Sequence, residues 1–389
     1  MLKRSTALFF FLTVLFASQA VHANVIEEIK HYVKNYYYGD IPLYLNEMKT
    51  IAEIEAGLDE YSEYLTKKEY EAYLGTLHIP SESWQLTGDL PGSEADSHVM
   101  SRFLFGNTGY IAVSRFQVET PIAVIREWEK LKGMGARQLI LDLRYNGGGS
   151  VGSAEKIIGM FQNAPEAYTR HNREESIRVK SVPAKIKFPQ NPYVLVNKYS
   201  ASASELVAAA IKDQQAGTVV GQKTYGKGSI QSFFELSDGG AMKLTTAHFI
   251  GPGGTKIQSF GVMPDEETPP GKELQFAHTA LSKGWLTEQG YSEFPDAEME
   301  APGKSFTITF SQKMNFSAPA ASNRVELIRM GDAITVPVKV EQTGDLELKI
   351  TPEKPLLSNS VYALVIHPRF ADREGIYMRK GAYLFIKTI

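Results

Sequence analysis

Cysteine is absent from all 389 residues. That removes disulfides, zinc–thiolate sites and thiol nucleophiles together, so any chemistry must use oxygen, nitrogen or a metal held without sulfur. Excess charge of one sign is lacking too. Lys+Arg 41 against Asp+Glu 44 leaves a net −3 with no single-sign block, so a nucleic-acid partner has no electrostatic support. The eight histidines show no His-Glu-x-x-His spacing, and neither a metal nor a cofactor is expected. Beyond the first 23 residues no apolar run is long enough to cross a bilayer. What is present, 43% hydrophobic and 22% charged residues, suffices for two or three folded units.

Met1 to Ala23 opens with Lys3 and Arg4, continues through an apolar run from Ala7 to Ala17, and ends Val21-His22-Ala23. This is the pattern of a cleaved secretory signal, with an apolar stretch shorter than the roughly 20 residues a membrane span needs. Asn24 follows instead of cysteine, so no lipoprotein anchor is implied. The mature chain is expected to be extracytoplasmic, periplasmic or secreted, with no stable membrane insertion after signal cleavage.

Residues 24–77 read as a helical amino-terminal region, with Val25, Ile26, Ile29, Val33 and Tyr37 spaced to make one apolar face. The polar stretch His78 to Ser97 reads as a loop. Strands are expected in Arg102 to Phe116 and a helix over Thr120 to Gly133. Three short apolar runs follow, Leu139 to Leu143, Tyr193 to Val196 and Thr218 to Val220, with helical segments Ser153 to Met160 and Glu205 to Lys212 between them and a last helix at Lys272 to Lys283. Buried runs alternating with helices predict parallel strands joined by right-handed crossovers, an α/β unit over 78–293. A Pro- and Gly-containing acidic linker, Phe294 to Gly303, marks a boundary. Six or seven period-two runs between Phe306 and Ile386 then predict an all-β sandwich over 304–389.

The densest chemical signal lies between Ser200 and Gln231. Ser202 and Glu205 have the spacing of a helix capping box, directly after a predicted strand. A serine at such a turn also sits beside the unpaired N–H groups of the helix start, which can hold an oxyanion. Gly221 to Ser229 approaches the phosphate-loop consensus but puts Gly228 where the metal-binding hydroxyl belongs. Lys227, flanked by glycines, is either a solvated loop lysine or a desolvated amine able to act as general base. Ser153 to Lys156 has the Ser-x-x-Lys spacing of penicillin-binding proteins without their companion motifs. Asn146-Gly147-Gly148-Gly149 could bring backbone N–H groups close to a substrate. A Ser-His-Asp triad using His248 or His171 stays open at this point.

These elements, in this order, resemble the carboxy-terminal processing peptidases, or tail-specific proteases. The resemblance is carried by Leu139 to Gly149, Val196 to Glu205, Val220 to Gln231, Lys243 to Ala247, Ile257-Gln258 with Pro264-Asp265, and Gly57 to Leu65. It implies a crotonase/ClpP-like serine endopeptidase core acting on protein or peptide substrates, with Ser202 as nucleophile, Lys227 as general base and Gln231 orienting the lysine. The oxyanion hole it implies is formed by the backbone N–H of Ala203 and a glycine of the turn, Gly148 or Gly149. The family usually carries a PDZ domain between the Gly57–Leu65 block and Gly109; here His78 to Arg102 is too short for one. Residues 306–389 resemble bacterial Ig-like domains, implying a spacer or a module for a cell-envelope partner. A homodimer through the amino-terminal helices is a further expectation. The competing class is a non-catalytic peptide-binding or scaffolding protein on the same fold.

Overall fold

In the computed structural model, residues 24–76, 98–299, 305–315 and 324–389 are described. The expected signal segment and the expected loop from 78 to 97 lie outside them.

The apolar runs of the middle of the chain become a six-stranded sheet in the order Glu266–Glu267, Thr218–Gly221, Tyr193–Val196, Gln138–Asp142, Thr108–Val113, Val99–Leu104. All neighbours pair in parallel except the last two strands, which are antiparallel. Parallel strands joined by helices are covered on both faces, which is why they read as continuous apolar runs rather than alternating ones. Ile111, Leu139, Leu141, Val194, Val196 and Val219 bury one face against the helices Thr120–Gly133, Val151–Ile158 and Ala203–Asp213. Tyr110, Ala112, Ile140, Leu195 and Val220 bury the other against Ala277 and Leu281 of the helix Glu273–Glu288.

A second, antiparallel sheet stands beside it. Its backbone is the strand Ala241–Ile250, flanked by Glu63–Leu65, Ser229–Glu235 and Glu166–His171, the last paired with Ser176–Lys180. The amino-terminal helix, residues 24–36, packs Val25, Ile29 and Val33 against Leu236, Met242 and Leu244 of this sheet. Helices Ile51–Glu55 and Lys67–Thr76 complete the amino-terminal region. The helical amino-terminal region also holds one short strand that its pattern did not signal, Glu63–Leu65, which pairs in register with Ala241–Lys243. Three residues are too short for a period-two signal, and only the distant partner strand makes them a strand.

The carboxy-terminal unit is all-β. One sheet contains Ala382–Thr388, Val361–Ile366, Val325–Arg329 and Thr335–Val336, and a second contains Phe306–Thr309, Glu347–Pro352 and Val338–Gln342. Their inward residues, among them Leu327, Ile350, Leu364, Phe370 and Ile386, make a separate core. Ser292–Glu293 and Ala297–Met299 add to the edge of Ala382–Thr388 in parallel. The stretch expected as a linker is thus partly woven into the sandwich. The two units are docked by a buried apolar cluster of Leu286, Ile328, Met330, Val365, Tyr383 and Phe385, with Phe105 and Trp285 against it. His278 seals this junction, accepting from the Gly331 N–H at 2.9 Å through Nδ1 and donating from Nε2 to the Phe105 carbonyl at 3.0 Å.

Candidate active site

Ser202 stands at the N-cap of the helix Ala203–Asp213 with φ 55° and ψ −115°. Left-handed φ with that ψ is strained for a residue with a Cβ, and such strain persists only where its surroundings over-determine it. The surroundings here are explicit. Ser200 Oγ donates to the Leu143 carbonyl at 2.8 Å, Ser204 Oγ to the Asn146 carbonyl at 2.8 Å, and the Ala201 N–H to the same Asn146 carbonyl at 3.0 Å. Three contacts therefore lash the segment around Ser202 to the turn that carries the glycines. Ser200 and Ser204 are fully buried and committed to backbone, whereas Ser202 is partly exposed.

The glycines fit against the serine. A Cβ on Gly148, whose φ is +104°, would lie 2.8 Å from Ser202 Cβ and 3.1 Å from the Ala203 nitrogen. Only glycine tolerates both that conformation and that approach. The Gly148 N–H donates to Asn146 Oδ1 at 2.9 Å, while Ala203 is the first residue of its helix, where the N–H has no intrahelical partner. Gly149, at φ +133°, is pressed against the Phe116 backbone.

The sequence reading missed the group at the centre of this arrangement. Glu205, fully buried, accepts from the Ser202 N–H at 2.9 Å and the Lys227 N–H at 2.8 Å through Oε2, and from Thr224 Oγ1 and the Gly226 N–H, both at 2.6 Å, through Oε1. The capping spacing Ser202-x-x-Glu205 was the available signal, but three of the carboxylate's four partners lie about 20 residues downstream and are joined to it only by folding. Burial raises its pKa, and the four donated hydrogen bonds oppose that rise. The arrangement also explains the resemblance of Gly221 to Ser229 to a phosphate loop. Its amides do bind an anion, and the anion is the protein's own carboxylate.

Lys227 is partly buried, with Nζ 4.8 Å from the centre of the Tyr61 ring. Burial pushes its amine below the usual lysine range, the like charge of Lys243 adds to this, and Asp59 and Glu205 pull the other way. Gln231 Nε2 donates to Ser229 Oγ at 2.9 Å and Thr245 Oγ1 at 3.2 Å. Among the described residues no hydrogen bond joins Lys227 Nζ to Ser202 Oγ or to Gln231. The amine rests instead on the face of Tyr61, a cation–π contact.

The other candidates are engaged elsewhere. Ser153 Oγ is buried and donates to the Gln117 carbonyl at 2.6 Å, with Lys156 of the same motif exposed. His171 meets Ser176 Oγ at 2.6 Å through Nδ1. His248 lies against Tyr38 with ring centroids 4.3 Å apart and the ring planes tilted by 38°. Among the described residues neither histidine hydrogen-bonds Ser202. Beneath the site, Arg144 donates to both oxygens of Asp142 and reaches Glu273 at 2.7 Å, with the Tyr110 hydroxyl on Asp142 at 2.8 Å. This buried set fixes the strand end from which the glycine turn departs. Among the described residues no cluster of His, Asp and Glu could hold a metal ion, and no helix is long and apolar enough to cross a membrane.

Comparisons with known proteins place two stretches of the chain beside known families. Residues 107–268 match the family model of peptidase family S41, and residues 294–385 that of a bacterial Ig-like domain. A carboxyl-terminal-processing protease of Picosynechococcus sp. is 35% identical over 161 residues, which is 41% of this chain and 39% of that protein. The chloroplastic carboxyl-terminal-processing peptidase 2 of Arabidopsis thaliana is 37% identical over 183 residues, 46% of this chain and 34% of that one. The chain thus spans about two fifths or less of the length of these relatives. A lipoprotein from Streptococcus agalactiae of solved structure, 18% identical, shares the fold over 67% of this chain and 96% of its own with a TM-score of 0.50. Over residues 107–268 the chain is thus similar to peptidase family S41, and over residues 294–385 to bacterial Ig-like domains.

Proposed function

We propose that this protein is an extracytoplasmic serine endopeptidase that cleaves protein or peptide substrates with Ser202 as nucleophile and Lys227 as general base. The observation that carries the reading is the single buried carboxylate of Glu205 joining the backbone of both residues. A nucleophile and a base drawn from separate loops need such a tie to be held in one geometry.

In this mechanism Lys227 leaves the face of Tyr61 as its amine becomes neutral and takes the proton from Ser202 Oγ. The oxygen attacks the peptide carbonyl, and the tetrahedral oxyanion is held by backbone N–H groups. Ala203 offers its N–H directly. Gly148 serves by exchanging Asn146 Oδ1 for the substrate oxygen, with Gly149 completing the turn. Collapse expels the amine, which takes its proton from Lys227, and water attacks the acyl-serine by the same route. Gln231, whose Nε2 already donates to Ser229 and Thr245, has Oε1 left to accept from the lysine and orient it. No cofactor enters. Export through the amino-terminal signal, a PDZ-less core, a homodimer through the amino-terminal helices and an envelope partner for the Ig-like domain belong to the same proposal.

The test is hydrolysis of casein and of peptides by residues 24–389 beside Ser202→Ala prepared identically. Activity in the first and none in the second is expected. Silence in both, with folded protein, would move the reading to a non-catalytic peptide-binding protein. A core without a PDZ domain should also cleave carboxy-terminally amidated and free peptides at similar rates, and a large loss on amidation would count against that part.

A further inference from the structure

A cleft of about 500 Å³ opens beside Lys227, between the amino-terminal region and the second sheet. Its walls are Tyr37, Tyr38, Tyr61 and His248, and Gln258 closes one side. Two of these residues touch the catalytic loop itself. The Tyr61 ring lies against Lys227 Nζ, and Gln258 Oε1 accepts from the Gly228 N–H at 2.9 Å. The cleft is therefore a continuation of the site around Lys227.

Its charge is one-sided. Asp40, Asp59 and Glu60 all line it, and among the described residues none of the three is in an ion pair. Asp59 is held in place at both ends, its N–H donating to the Tyr37 hydroxyl at 2.8 Å and its Oδ1 accepting from the Tyr61 N–H at 3.2 Å. Aromatic walls suit the methylene stem of a long side chain and the face of a cation, and carboxylates at the rim suit its charged end. Glu60 already accepts from the Tyr61 hydroxyl and Asp59 from the Tyr61 N–H, so what a neutral or acidic side chain would leave unmatched is their negative charge rather than their hydrogen bonds. Resting on the peptidase reading, we propose that this cleft is a substrate side-chain subsite selecting lysine or arginine near the bond cleaved at Ser202. A cation seated there also offsets the attraction of Asp59 for the proton on Lys227, so the correct substrate favours the neutral base.

Two measurements test it. The first is kcat/KM for paired peptides carrying lysine or its neutral isostere norleucine at each position flanking the scissile bond, with the wild type and with Asp40→Asn, Asp59→Asn and Glu60→Gln. The expected result is a lysine-over-norleucine ratio above one at a single position, falling by up to about fivefold for each carboxylate neutralised, the upper end for a solvent-exposed pair, and shrinking as salt is raised. The second is binding of the same fluorescent peptides to Ser202→Ala, which needs no catalysis. A preference for lysine in that binding supports the subsite even if no peptide is hydrolysed, in which case the peptidase reading alone fails. Equal binding of lysine and norleucine peptides, or a hydrolysis ratio unmoved in all three variants, overturns the subsite.

Discussion

Glu205→Gln isolates the tie between the proposed nucleophile and the proposed base with the smallest change of shape. In the native protein four donors converge on two carboxylate oxygens. An amide can keep one oxygen in place for two of them, but its NH₂ then faces two N–H groups, those of Ser202 and Lys227 if the oxygen stays with Thr224 and Gly226. Two hydrogen bonds to a charged group are lost, roughly 1.5–3 kcal/mol each. Burial makes the charge itself costly at this place, so removing it offsets part of the loss and a net destabilisation of about 2 kcal/mol is expected. In a domain of this size that lowers Tm by roughly 4–8 °C. The effect on catalysis should be larger. Ser202 loses the partner that holds its N–H at φ 55°, the Lys227 loop is released with it, and a displacement of about 1 Å costs on the order of 100-fold. The assay is kcat/KM on one peptide at 25 °C, where the variant remains folded, beside a thermal melt. A Gln variant with wild-type kcat/KM, or one whose loss of rate is no greater than its unfolded fraction, would refute the tie.

Lys227→Ala should abolish hydrolysis while leaving Tm nearly unchanged, since burial already disfavours the ammonium; full activity would sink the dyad. The base acts when neutral, so the rate should rise with pH, and because the like charge of Lys243 helps depress Lys227, Lys243→Met should move the rising limb of the pH–rate profile to higher pH. Gly148→Ala should cut activity at least 100-fold, because a Cβ there meets Ser202 Cβ at 2.8 Å, and peptide kinetics on the purified variant would show it. His278, buried with its pKa lowered to about 4, is neutral when folded and titrates near 6.5 when unfolded. The unfolded state therefore binds more protons between these values, and stability is lost as pH falls from about 6.5 to 4, by up to about 3 kcal/mol. His278→Gln should flatten that part of the Tm-against-pH curve relative to the wild type.

Much of the parallel sheet was legible from sequence because Leu139 to Leu143 and Tyr193 to Val196 are buried on both faces and therefore continuously apolar. The helix Thr120–Gly133 was read to the residue, since Pro121 and the Lys130 and Lys132 turn mark its ends. The second sheet was largely missed. Ser176–Lys180 alternates exposed and half-buried positions, and Ser229–Glu235 is half-buried almost throughout, so neither carries a strong apolar pattern. Ser202 and Lys227 stood out through local context, a strand-to-helix turn and a lysine between glycines. Tyr61 and Asp59 did not, because a residue's nearness to a site more than a hundred positions away leaves no periodic trace in its own segment.

That distance has a kinetic side. The ladder Glu63↔Lys243 to Leu65↔Ala241, closed by the 2.7 Å ion pair of Lys243 with Glu63, joins pieces of chain far apart in sequence and fixes where Tyr61 stands relative to Lys227. Contacts of such high sequence separation carry the largest loop-closure entropy and are expected late in folding. A half-made or unfolded chain would then hold Ser202 and Lys227 without the geometry on which the proposed chemistry depends, so on that reading activity arrives only with the last long-range ladder.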